Sequence, residues 1–187
     1  DESGKLIYVL DYLLNGGRMK GWVFEPGDIV DQATGRRGLR AIVEMGSKTG
    51  QGHPDQWLGY LSDCGLEPQD PIRVGSDTFT VDDYLQQIQW DVPRNPGREY
   101  SWTIMALTAY YPTDHSWVAS DGKTWTTAQL VDIEADHDLA GSACGGSHRM
   151  AGLALALNRH LAQGGKLDGG WKKADDKVQD CIRRAKE

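Results

Sequence analysis

The sequence predicts an all-α fold of stacked helical hairpins, each about 46 residues long, joined by short β-hairpin-like connections. Three observations predict it. The segments SDTFTVDDYL (76–85) and SDGKTWTTAQL (120–130) share one build, and a shift of 46 residues lays Phe79 on Trp125 and Thr80 on Thr126. The same shift continues without a gap, carrying Ser101 onto Ser147, Leu107 onto Leu153 and, in reverse, Ser101 onto Asp55. Finally, amphipathic runs alternate with more apolar runs that contain small residues, so no helix could bury its apolar face without a neighbour.

Each element has its own signal. Residues 1–15 contain KLIYVLDYLL, whose spacing suits a helix closed by Gly16-Gly17. Outer, amphipathic helices are expected at 37–46, 81–90, 127–137 and 173–186; inner, more apolar helices at 54–63, 99–111 and 147–163. Thr80 with Asp83, and Thr126 with Gln129, read as N-cap and third-position partners of capping boxes. Residues 72–74 and 78–80 suggest a small hairpin across 75–77, and 92–97 a Gly/Pro turn. The next step of the shift, from Trp125, lands on Trp171 at the start of the last charged helix.

Composition bounds the partners. The 187 residues suit one domain, with 39% hydrophobic and 25% charged residues. A formal net charge of −7 argues against nucleic acid, which needs a basic face. The longest apolar run, 153–157, is too short to cross a bilayer. Seven Trp against two Phe suit half-buried surfaces and glycan or partner contacts, or simply the core. The chain begins with Asp1 rather than Met, which is expected of a trimmed chain or of one that has lost a targeting segment. Cys64, Cys144 and Cys181 match no zinc or CxxC spacing; one disulfide plus a free thiol stays open, and an extracytoplasmic location is favoured.

GQGHPDQWLGYLSDCGL, YSWTIMAL and GSACGGSHRMAGLALAL together resemble a group of uncharacterised bacterial proteins with GHxDQ, SWT and ACGGxHR segments. The likeness spans residues 36–187, and the ACGGxHR stretch is its most specific part. Units of this size also look like the α/α toroid of terpenoid cyclases and protein prenyltransferases. The resemblance implies a partial α/α toroid and supplies no activity. Neither the DxDD acid run of the cyclases nor the zinc ligands of the prenyltransferases can be placed here, and four hairpins fall short of the five or six that close a ring.

The best candidate site is Ser142-Ala143-Cys144-Gly145-Gly146-Ser147-His148-Arg149. Two glycines before a helix allow close backbone approach, the helix N-terminus offers unpaired N–H groups, and His148 and Arg149 could orient a carboxylate or sulfate. Cys144 lies beside that terminus as a candidate thiol, within reach of His148 only if both were helical. The shift places Gln56, Trp102 and His148 at equivalent inner-helix starts, with Asp55, Ser101 and Ser147 as the neighbouring set, so Asp55, Gln56, Trp102, Cys144, Ser147, His148 and Arg149 would line one mouth. Structurally, the glycines need only permit a turn, Asp55 and Ser147 need only be N-caps, and His148 need only pack. His53 with Asp55, joined by Asp136, His137 and Asp138, forms a second set with metal-ligand chemistry but no supporting spacing. His115 reads as a loop residue and His160 as part of a solvated helix face. There is no P-loop or dinucleotide fingerprint, so no cofactor and no metal are expected. The favoured function is a binding or scaffolding module whose mouth takes a polar small molecule, glycan or peptide. The rivals are a polysaccharide lyase or hydrolase with His148 as base and Arg149 neutralising a uronate, and a purely structural repeat of an envelope protein.

Overall fold

The computed structural model describes residues 8–18, 21–43, 53, 55–95 and 99–186. It corrects the all-α expectation: 52% of the described residues are helical and 20% lie in strands, which form three two-stranded antiparallel sheets, so the fold is mixed and is not an all-α toroid. In chain order come α1 (Val9–Leu14), β1 (Trp22–Asp31), β2 (Arg36–Val43), α2 (Gln56–Leu61), β3 (Pro71–Val74), β4 (Asp77–Thr80), α3 (Val81–Asp91), α4 (Ser101–Tyr110), β5 (Ser116–Val118), β6 (Thr124–Thr126), α5 (Thr127–Asp136), α6 (Ser147–Ala162) and α7 (Gly169–Arg184), with 3-10 turns at Ser62–Cys64, Val92–Arg94 and Ala143–Gly146.

The main departure is the segment expected to be an outer helix at 37–46. Its described part is β2, paired with β1 in a long hairpin that the sequence reading missed. Leu39 and Ala41 lie opposite Pro26 and Phe24, so Leu39, Ala41 and Val43 alternate onto one face with Trp22 and Phe24. β2 packs on α3. Contact is close because Gly27 and Gly38 leave room for Gln87: a Cβ on either would lie 2.0 or 2.5 Å from the Gln87 Oε1, which accepts from the Asp28 N–H at 2.8 Å.

The 46-residue equivalence nevertheless has a structural counterpart. β3–β4–α3–α4 and β5–β6–α5–α6 repeat one order of elements, with α3 and α5 starting at Val81 and Thr127, and α4 and α6 at Ser101 and Ser147. Both capping boxes form: Thr80 accepts from the Asp83 N–H and Thr126 from the Gln129 N–H, while each third-position side chain accepts in return. The expected helix at 1–15 is observed as α1, residues 1–7 lying outside the described set; it ends in a Schellman arrangement in which left-handed Gly16 and then Gly17 donate to Leu13 and Tyr12. The inner helix expected at 54–63 is the shorter α2, Pro54 being outside the described residues.

α4 sits at the centre, buried from Ser101 to Thr108, with α2 and α6 packed on it and α5 packed on α7. Its neighbours approach through glycines. A Cβ on Gly152 of α6 would lie 2.7 Å from the Ser101 carbonyl oxygen, and one on Gly59 of α2 would lie 3.0 Å from the Trp102 ring. One hydrophobic cluster runs from Leu13 and Trp22 through Trp57, Tyr84 and Ile104 to Trp171 and Val178. Among the described residues no helix is long and apolar enough to cross a membrane.

Candidate functional site

The seven residues expected to share one mouth divide among three places. Trp102, 3% exposed, is held between rings: Tyr60 at 4.6 Å and His148 at 4.8 Å between centroids. The equivalence thus brings Trp102 and His148 together, with Tyr60, not foreseen, as the third ring. Arg149 lies deeper. Its Nε donates to Glu134 at 2.8 Å, its Nη1 donates to the Ser142 hydroxyl, and Glu134 also accepts from the Tyr100 N–H and the Ser101 hydroxyl. Glu134 is fully buried, so this is a buried ion pair that fixes the start of α4 and the loop before α6. Ser147 and Cys144 are exposed; Ser147 donates to the Cys144 carbonyl and does not cap α6. Cys144 adopts φ 52°, followed by Gly145 and Gly146 at 64° and 80°, a left-handed turn that leads into the helix. All three cysteines are free thiols.

Asp55 occupies a third place. It stands at the N-cap position of α2 without capping it, because its carboxyl accepts from Thr103 Oγ1 at 2.5 Å across the α2–α4 contact. Its neighbour Gln56 keeps a buried Oε1 that has no partner among the described residues. Asp55 lines a cavity of about 360 Å³ with Arg40 from β2, His53, Ile88 and Asp91 from α3, and Val92, Arg94 and Asn95 from the turn that follows. None of the other six expected site residues lines it. Sequence reasoning missed Arg40 because it lay in the misread helix, and Asp91, Arg94 and Asn95 because their relevance depends on where β2 sits. The nearest available signal was the three-residue spacing of Asp91 and Arg94.

Four charged side chains at or beside this cavity pair in a ring. Arg40 pairs with Asp28 and Asp91 at 3.0 Å each, and Arg94 pairs with the same two carboxylates. Trp90 Nε1 also donates to Asp28, and Gln87 Nε2 to Asp91. Partial burial acts to raise the Asp28 pKa, but the hydrogen bonds and charges of Arg94 and Arg40 prevail and hold it below the ordinary carboxylate value. Asp55 moves the other way: burial raises its pKa, only partly opposed by His53 and by the Thr103 hydroxyl. The His53 ring is oriented by its Nδ1, which accepts from the Asp55 N–H at 3.2 Å. That arrangement puts the proton of a neutral ring on Nε2. Among the described residues Nε2 has no partner, nor has Asn95 Oδ1, whose amide nitrogen donates to the Glu99 carbonyl at 2.7 Å; both atoms are closed to solvent.

The second set considered from sequence does not assemble as a metal centre. His53 and Asp55 are neighbours at 3.7 Å, but among the described residues no group of three or more potential ligands comes together. His160, expected on a solvated face, is buried against Trp171 with parallel rings 3.9 Å apart. The fold and site define a mixed α/β chain with repeated hairpin–helix units and a small, charge-lined cavity. Comparison with known proteins finds no match: no family model, no curated protein and no solved structure.

Proposed function

We propose that this chain is a binding module that takes a small polar molecule into the cavity between β2, α3 and the N-terminal end of α2. One observation carries the reading: the cavity, of about 360 Å³, gathers Arg40, His53, Asp55, Asp91, Arg94 and Asn95 at its wall. The volume lies at the lower end of the range for small-molecule pockets. Nothing comparable favours the lyase, since Arg149, required there to neutralise a uronate, is already paired with buried Glu134.

The test is an amide chemical-shift titration of the chain with small polar probes: methyl glucoside, acetamide, acetate and guanidinium. At least one is expected to shift the signals of Arg40, His53, Asp55, Arg94 and Asn95 as a group. Shifts confined to the Tyr60–Trp102–His148 stack would return the site to the originally expected mouth and defeat this assignment.

A further inference from the structure

We propose that the outward line of α6 is the contact face of a symmetric, antiparallel pair of two copies of this chain. The first ground is that the 46-residue equivalence carries contacts as well as residues. α2 meets α4 through Asp55, which accepts from the Thr103 hydroxyl, and through Gly59, which lies against the Trp102 ring. One shift onward, α4 meets α6 through Ser101, Met105 and Thr108. Gly152 lies on the Ser101 backbone, and Arg159 donates to the Met105 carbonyl and the Thr108 hydroxyl. A further shift lands on Ser147, Ala151 and Ala154 of α6. Here the line is open: Ser147 and Ala151 are exposed and Ala154 is half-buried, while the helices packed on α6 are α4, α5 and α7. α6 thus repeats the helix-receiving face of α4, with no helix on it among the described residues.

The second ground is that this face fits itself. The line continues through Asn158 and Leu161, so its steps of four and three residues match the seam of paired helices, where an Asn fixes the register. No residue on it is charged, whereas the exposed face of neighbouring α7 carries Lys172, Lys173, Asp176, Arg183 and Arg184. Two copies of a chain with net charge −7 can therefore meet there without opposing like charges in the contact. With two antiparallel copies of α6 crossing at Ala154, each Leu161 faces Ser147 of the second copy and each Asn158 faces its Ala151, large against small. The alanines at the crossing let the backbones approach closely. The same arrangement brings exposed Lys166, beyond the C-terminal end of one α6, toward exposed Asp138, ahead of the N-terminal end of the other. α2 offers a copy no such line: it has six residues, and its Trp57 and Leu58 are already buried. The contact is accordingly between like faces, the commonest kind of pair.

One helix face is small for a specific interface, so association is expected to be weak and concentration-dependent. Sedimentation equilibrium of the wild-type chain from about 1 µM to about 1 mM, a span that covers weak pairs, should show the mass rising from 20.7 kDa toward twice that value. Ala154→Glu sets two carboxylates face to face at the crossing and is expected to weaken association at least about tenfold. Ala151→Glu, at an exposed position that leaves the fold intact by circular dichroism, should do the same and keeps the test open if Ala154→Glu unfolds. Gln179→Glu, on the exposed face of α7, is the control and should leave the mass curve unchanged. A chain that stays single at about 1 mM overturns the proposal. So does a dimer that Ala151→Glu leaves unchanged, or one that Gln179→Glu weakens as much.

Discussion

Arg149 and Arg40 are both arginines paired with carboxylates, yet their settings make them do different work. Arg40 is partly exposed in a four-membered ring, where losing one pair leaves others and water to compensate. Arg149 and Glu134 are almost wholly enclosed, with side-chain exposures of 6% and 0%. Arg149→Met keeps most of the volume but strands the Glu134 charge among the Tyr100 N–H and the Ser101 hydroxyl. It is expected to cost about 3–5 kcal/mol by urea denaturation. A loss below about 1 kcal/mol would show that Glu134 is well served without it. The same contrast explains why the site was only partly legible in the sequence. Asp55 was visible as a polar residue at a helix start, and Trp102 and His148 as equivalents under the shift. What each side chain faces depends on Thr103, Glu134 and Tyr60, which no local pattern connects to them.

At the scale of elements, what was legible was whatever is local. α3 and α5 announce themselves by their threonine caps, α4 and α6 by apolar periodicity, and the β3–β4 turn by its glycine. β2 was not legible because Leu39, Ile42, Val43 and Met45 can be read at helical spacing as easily as Leu39, Ala41 and Val43 at strand spacing. Only pairing with β1, a contact made after the chain turns at 32–35, decides between them. Helix packing yields a sharper expectation. α6 lies against α4 through Gly152, and an added methyl would meet the Ser101 backbone, which cannot swing away as a side chain could. Gly152→Ala should destabilise by about 1–3 kcal/mol in thermal or urea melts. Gly141→Ala, where an added methyl meets nothing within 4 Å, is the control and should be nearly neutral.

At the scale of the whole molecule, Asp28 and Asp55 make opposite contributions to stability against pH. Asp28, held below its ordinary value, adds stability that is present above the unfolded-state value of 3.8 and is lost as the solution is acidified through its folded value. Asp55, raised by burial, adds stability that is full below 3.8 and declines as pH rises through its folded value. Asp55→Asn removes only the second contribution. The difference in melting temperature, variant minus wild type, should therefore become more positive between about pH 4 and about pH 7. A difference that stays constant across that window would mean that burial does not govern this carboxyl.

Thr80 and Thr126 are each at once the last residue of a strand and the cap of the helix that follows. Strand and helix thus meet with no linker between them, and the register of the hairpin sets the rotational phase of the helix. Extra residues can be absorbed at the hairpin tip, as the longer β5–β6 connection shows beside β3–β4, whereas one added at the threonine would turn the buried face of α3 away from β2, or that of α5 away from α7. Each unit is in this sense a rigid bracket, and variation in length between units is directed outward to the tips.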